Sequence, residues 1–183
     1  MDSSIAEAVA ALRARGVIAY PTEAVYGLGC DPFDQDAVAR LFTLKQRPPG
    51  QGLLLIAADF SQVEKFIGAA PAVAIARARG SWPGPHTWVF PRSATTPDWL
   101  AGDHTGIALR VTAHPLAAQL CRAFGGALVS TSANRHGVAP ARSAHDVRVA
   151  FGAEVTYVLD GSTGGLEQPT PIRDAMSGDV LRS

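Results

Sequence analysis

The sequence predicts a layered α/β fold built on a mixed β-sheet, and three observations predict it. Short apolar runs of strand length alternate with stretches of helical periodicity through most of the chain. Toward the C-terminal end several strand-like runs follow one another with no helix between them, which favours a mixed sheet over a purely parallel one. At 183 residues and 47% hydrophobic content, the chain has material for one core, and no linker, repeat or low-complexity stretch divides it, so residues 1–183 read as a single domain.

The elements follow in order. Ser4 and Glu7 form a capping-box pattern ahead of Ile5, Val9 and Leu12 at helical spacing, and Gly16 is the expected stop. Residues 17–20 are a short apolar run ended by Pro21, which reads as a buried strand. Asp34 can cap a second helix with Val38, Leu41 and Phe42 inward, ending near Lys45 because Pro48 and Pro49 follow. Strands are expected at 53–57, 87–90, 107–111 and 127–129, and short ones at 155–159, 171–174 and 180–182. Helices are expected to open at Ser61, to span 72–79 and 114–123 with Pro115 in the first turn, and to start at the Ser143/Asp146 pair.

Composition narrows the function classes. Lys+Arg balances Asp+Glu at 16 each, so bulk charge does not point to a protein that lives on nucleic acid. The two cysteines, Cys30 and Cys121, form no metal-ligand pattern, and neither do the five histidines. Beside a glycine turn, Cys30 reads as a small buried residue rather than a nucleophile. The first residues lack the basic start and apolar stretch of a signal peptide, and the longest apolar run, 53–58, is far short of the roughly 20 residues of a membrane span. The expected setting is reducing and cytoplasmic, with no membrane partner.

Chemistry concentrates between the elements. Residues 21–29, PTEAVYGLG, follow the first strand as a loop whose glycines let backbone approach a ligand, with the hydroxyls of Thr22 and Tyr26 at a strand end. A polar turn with a core tyrosine fits the same residues. Lys45 and Arg47 are two apart, so in extended backbone both point to one side, as a polyphosphate would require; solvated charges at a helix C-terminus are the commoner reason for such a pair. Residues 130–134, STSAN, offer hydroxyl and amide groups directly after a strand, either to a ligand or to a turn. Arg110 interrupts an apolar strand and needs a partner, which a substrate carboxylate or an internal aspartate could supply. Among common signatures, the phosphate-binding P-loop, a well-placed dinucleotide fingerprint and the serine nucleophile elbow are missing.

Seven segments in order resemble the TsaC/YrdC family of threonylcarbamoyl-AMP synthases, in its short single-domain bacterial form. They are PTEAVYGLG at 21–29, LKQRP at 44–48, WPGPHT at 82–87, ALRV at 108–111, HPL at 114–116, STSAN at 130–134 and PTPIRD at 169–174. The resemblance implies a YrdC-like α/β fold, with a twisted mixed sheet, flanking helices and a large concave active-site cavity. It implies synthesis of L-threonylcarbamoyl-adenylate from L-threonine, bicarbonate and ATP with release of pyrophosphate, the first step toward threonylcarbamoyladenosine at position 37 of tRNAs that decode ANN codons. Carried onto this sequence, it places Thr22, Tyr26, Arg110, Ser130 and Thr170 against threonine. Lys45, Arg47, Ser132, Asn134 and Arg182 fall to ATP, with Lys45 and Arg47 catalytic. Magnesium would travel with ATP rather than on a protein site. A downstream tRNA threonylcarbamoyl transferase complex would take the product, and any contact of this chain with tRNA would be weak. The competing reading is an RNA-binding or ribosome-maturation factor. The sequence departs from the family pattern at Gln46, usually Gly; at Thr170, usually Ser; at Ile56, where longer relatives often carry His; and at Arg135-His136-Gly137 after the STSAN segment.

Overall fold

The computed structural model describes residues 3–48 and 50–182; Met1, Asp2, Pro49 and Ser183, and with them the chain's first residues and the second of the helix-stopping prolines, lie outside the description. Nine strands form one mixed sheet in the order β7-β1-β2-β6-β3-β5-β4-β8-β9. They are β1 (Ile18–Pro21), β2 (Tyr26–Gly29), β3 (Leu54–Ala57), β4 (Thr87–Pro91), β5 (Gly106–Val111), β6 (Leu128–Ser132), β7 (Tyr157–Val158), β8 (Ile172–Asp174) and β9 (Val180–Arg182). Three neighbouring pairs are parallel, β1/β7, β3/β5 and β4/β8, and the others are antiparallel. The helices are α1 (Ser3–Arg13), α2 (Gln35–Lys45), α3 (Phe60–Val63), α4 (Ala72–Arg79), α5 (Asp98–Ala101), α6 (Pro115–Phe124) and α7 (Ala144–Phe151). The result is a twisted mixed sheet flanked by helices.

Successive side chains of a strand face opposite sides, so each strand feeds two layers. Ala19, Leu28, Leu55, Leu109, Val111 and Val129 face one side and pack against α2, α4 and α7 through Val38, Leu41, Ala74 and Val147. Ile18, Tyr20, Ile56 and Leu128 face the other side and pack against α1 and α6 through Ile5, Leu12, Leu120 and Cys121. Strand β3 reads as an unbroken apolar run because both of its faces are covered at this end. Trimming a fully buried anchor such as Leu12 to Ala would cost about 2–5 kcal/mol. The second layer is shorter than the sheet. Beyond α1 and α6, the face that carries Ile56 and Leu128 continues with Ala108, Arg110, Ser130 and Ser132, and there a cavity opens.

Caps explain several boundaries. Asp34 accepts the Ala37 N–H at 3.0 Å, and Ser143 and Asp146 form the reciprocal capping box expected of them. His114 caps α6 through Nδ1. Elsewhere the structure corrects the expectations. Ser4 lies inside α1 rather than before it, and the left-handed residue after that helix is Arg15 (φ 67°) rather than Gly16. Gly16 is there for space, since a Cβ would sit 2.7 Å from the Ala11 carbonyl oxygen. Asp59, not Ser61, precedes α3 in extended backbone, and Ser61 falls within the helix and donates to Asp59. Helix α5 was not anticipated, and the strand expected at 155–159 shrinks to β7.

The largest correction concerns residues 21–29, which are a hairpin rather than one loop. Residues 22–25 turn, with Thr22 N–H and hydroxyl both donating to the Val25 carbonyl, and 26–29 return as β2. Glycines at alternate positions mask the strand pattern. Gly29 serves close packing, because a Cβ there would lie 2.3 Å from the Val129 carbonyl oxygen and 2.8 Å from the Tyr20 ring.

Lys45 and Arg47 do not sit in extended backbone. Lys45 is the last residue of α2, and Gln46 turns left-handed (φ 51°, ψ 39°), so that Arg47 N–H returns to the Phe42 carbonyl. A left-handed non-glycine costs about 1–2 kcal/mol, partly offset by the extra unfolded-state entropy of glycine. Gln46→Gly is therefore expected to raise stability by about 0.5–1 kcal/mol, seen as a higher urea midpoint at unchanged slope; a lower midpoint would contradict this account of the helix end.

Candidate active site

The cavity encloses about 190 Å³ on the uncovered part of the sheet. Its lining brings together Thr22, Tyr26, Arg47, Arg110, Ser130, Ser132, Thr170 and Arg182, drawn from four strands and the segments beside strands and helix α2. Two expected residues, Lys45 and Asn134, are not in the lining. The topology accounts for the convergence. β3 pairs with β6 and β5, and β2 pairs with β6, so Gly27, Ser130 and Arg110 share one face of the sheet, with β3 between the strands of the last two. β8 pairs with β4, which delivers Thr170 from just ahead of β8.

Arg110 is the most constrained group of the site. It is 6% exposed, and its side chain meets Glu23, Thr87 and Thr170. Nε and Nη2 donate to Thr87 Oγ1 at 3.0 and 2.8 Å, Nη2 donates also to Thr170 Oγ1, and Nη1 reaches Glu23 Oε2 at 3.3 Å. Burial pushes the guanidinium below its ordinary pKa, and Glu23 pushes back. The internal partner is therefore a glutamate rather than the aspartate considered from the sequence. One hydrogen on Nη1 is not used by these bonds, and Arg110 lines the cavity.

The second cationic edge comes from the end of α2. Arg47 Nη2 donates to the Gly52 carbonyl at 2.7 Å, Nε to Gln51, and Nη1 approaches Thr131 Oγ1 at 3.4 Å. Burial, and then the nearby Arg182, lower its pKa. Lys45 points under the end of β6, where Nζ donates to the Ser132 and Asn134 carbonyls and to Asn134 Oδ1. Burial, with Arg47 adding to it, brings its pKa down to about 8. Asn134 is equally committed: Oδ1 accepts from Ser132 Oγ, and Nδ2 donates to the Arg135 and Val138 carbonyls. Lys45 thus shapes the strand end that carries Ser132, and Arg47 and Arg182 form the cationic rim.

The remaining expected residues divide between surface and support. Thr22 and Ser130 are nearly buried at 7% and 5% exposure and line the floor. Tyr26 is fully buried, and its hydroxyl is engaged with the Gly161 backbone at 2.6 and 3.0 Å, so it anchors residues 159–161 beside the cavity. Ser130 to Ser132 belong to β6 itself rather than following it. Ile56 fills the core beneath α6 at the position where longer relatives often carry His. Burial pushes the Cys30 thiol up, consistent with a packing role.

A second depression of about 640 Å³ adjoins the first. The two share Arg47, Gly52, Leu53, Ala108 and Ile172, and the second adds a more apolar wall with Val89, Pro91, Met176 and Leu181, plus His104 and Asp174. Sequence reading missed Glu23, Thr87 and Thr131. The available signal for Glu23 was its place inside PTEAVYGLG, an acid in a chain whose one odd cation was Arg110. Among the described residues no group of His, Cys, Asp and Glu could hold a metal ion, and no helix is long and apolar enough to cross a membrane.

Comparison with known proteins follows the same lines. The family model Sua5/YciO/YrdC, described as telomere recombination, matches residues 10–183. Two similar relatives are named threonylcarbamoyl-AMP synthase. One from Chromohalobacter salexigens is 56% identical over 97% of this chain and 96% of its own length, and one from Coxiella burnetii is 52% identical over 98% and 96%. Among solved structures, P. abyssi Sua5 complexed with L-threonine superposes with a TM-score of 0.88 at 33% identity, covering 93% of this chain. This chain corresponds to about half of that protein, 50% of its length. With a family match over nearly the whole sequence and relatives above half identity, the chain belongs to the Sua5/YciO/YrdC family.

Proposed function

We propose that the chain makes L-threonylcarbamoyl-adenylate from L-threonine, bicarbonate and ATP, releasing pyrophosphate. The observation that carries this reading is a buried guanidinium, Arg110, at the floor of a polar cavity of amino-acid size whose rim holds Arg47 and Arg182. The guanidinium suits a carboxylate, and the rim suits phosphates. The relatives named threonylcarbamoyl-AMP synthase and the threonine complex of P. abyssi Sua5 support the choice of reaction and of threonine as a substrate.

In this reading the threonine amine and bicarbonate give a carbamate and water. A carbamate oxygen then attacks the α-phosphorus of ATP, the bond to the β-phosphate bridging oxygen breaks, and pyrophosphate leaves. Arg110 holds the α-carboxylate, with Thr22, Ser130 and Thr170 beside it and Tyr26 behind them. Arg47, Arg182 and Ser132 bind the nucleotide, and Lys45 and Asn134 hold the β6 end that carries Ser132. Lys45 reaches phosphate only by exchanging one of its three bonds. Such chemistry asks for positioning and charge compensation rather than a covalent nucleophile, and a bound nucleotide over the recessed floor would shield a labile carbamate from water. Magnesium carried by ATP as part of that substrate would add to the charge compensation. The reaction belongs in the cytoplasm, where a separate transferase assembly would pass the group to tRNA.

Mass spectrometry of a reaction with threonine, bicarbonate and Mg-ATP should show the mixed anhydride, and its absence with active controls would reject the reading. Arg110→Lys keeps the charge but loses the fork, so the KM for threonine should rise about tenfold or more while that for ATP moves little. Equal changes in both would remove Arg110 from the carboxylate. The Lys45 pKa of about 8 gives a pH test. The side chain is a cation below that pH and neutral above it. If its charge serves ATP, kcat/KM for ATP falls on the alkaline side with a limb near 8, and Lys45→Arg removes that limb. A limb unchanged in Lys45→Arg belongs to another group.

A further inference from the structure

We propose that Glu23 is a positioning residue for substrate recognition: its buried carboxylate sets the orientation of Arg110 and so the affinity for the amino-acid carboxylate. The inference deepens the amino-acid reading of the cavity and rests on it.

Glu23 sits in the turn between β1 and β2 and is 6% exposed. Oε2 accepts from Arg110 Nη1, while Oε1 accepts from Thr112 Oγ1 at 2.6 Å and from Ala113 N at 3.2 Å. One oxygen thus holds the guanidinium, and the other is pinned to the connection between β5 and α6. The residue's backbone is used as well. Its carbonyl accepts from Leu166 N, and the Gly164 backbone packs so closely that a Cβ there would lie 2.9 Å from the Glu23 carbonyl oxygen. That same segment ends at Thr170, a second acceptor for Arg110. Three parts of the chain therefore meet at Glu23, and each bears on where the guanidinium points.

Glu23 does not line the cavity, so it is not placed to take a proton from a bound amine. Its effect runs through Arg110. Thr87 fixes Nε and Nη2, which leaves rotation of the Nη1 edge to be limited by Glu23. The pair is also neutral overall. A cavity floored by a guanidinium whose charge is balanced from behind favours a zwitterion, such as an amino acid, over a simple monoanion, because carboxylate binding is then not driven by an unpaired buried charge.

The test uses pyrophosphate release by the full chain with threonine and ATP varied in turn. A glutamine at this position cannot accept on both of its terminal atoms, so Glu23→Gln is expected to raise the KM for threonine about tenfold while kcat and the KM for ATP stay within about twofold. Thr112→Val removes the hydroxyl that steadies the carboxylate and also accepts the His114 N–H; once folding is confirmed, it should raise the threonine KM about threefold, with no further rise when combined with Glu23→Gln. Folded Glu23→Gln with an unchanged threonine KM, or with threonine and ATP equally affected, overturns the proposal. If Glu23→Gln does not fold, an unchanged threonine KM in Thr112→Val overturns it instead. Wild-type protein lacking threonine-dependent turnover would fell the underlying reading first, and this proposal with it.

Discussion

A guanidinium inside a sheet is tolerated only when its charge and its donors are met, and in this fold that requirement organises the site. Arg110 projects from β5 onto a face that elsewhere carries Ile56 and Leu128. Left alone there, its charge would face a desolvation penalty of several kcal/mol. Glu23, Thr87 and Thr170 meet it from the β1–β2 turn, from β4 and from the approach to β8. The hairpin, the central strands and the C-terminal strands are thereby tied to one side chain, and the cavity is the space left on its open side.

That open side exists because the two helical layers differ in extent. Among the described residues, one sheet face is covered by α2, α4 and α7, and the other by α1 and α6. Where the second layer stops, alternate residues of β6 change from apolar to polar, Ser130 and Ser132 continuing the row begun by Leu128, while on β5 Arg110 stands level with Ile56 and Leu128. The same period-two rule that buries Ile56 and Leu128 on this face presents the β6 hydroxyls and the Arg110 cation on it. No separate scaffold is needed for the floor of the site, while the rim relies on the end of α2 and on β9.

Much of this was legible in the sequence. The α/β class, most helices and the strands flanking Arg110 follow from periodicity and capping, and Ser143 with Asp146 shows how directly a local signal can map onto structure. Eight of the ten residues marked by the family pattern meet at one cavity. What escaped were features set by tertiary contact. β2 hid behind alternating glycines whose reason is the proximity of Val129 and Tyr20. Lys45 and Arg47 were expected to share a side through extended backbone, yet a left-handed Gln46 separates them and sends Lys45 beneath β6. Glu23 and Arg110 stand 87 positions apart, so no window of sequence could pair them.

Chain order has a further consequence for how the protein is made. β1, β2, β3, β5 and β6 are all synthesised by residue 132, whereas β8 must return from residue 172 to lie beside β4. Thr170 and Arg182 belong to this late return. Long-range pairing of this kind is slow compared with local structure, and domains emerge from the ribosome N-terminus first. A nascent chain can thus hold a nearly finished sheet while its binding site still lacks a wall, so that ligand capture waits on the late return of β8 and β9.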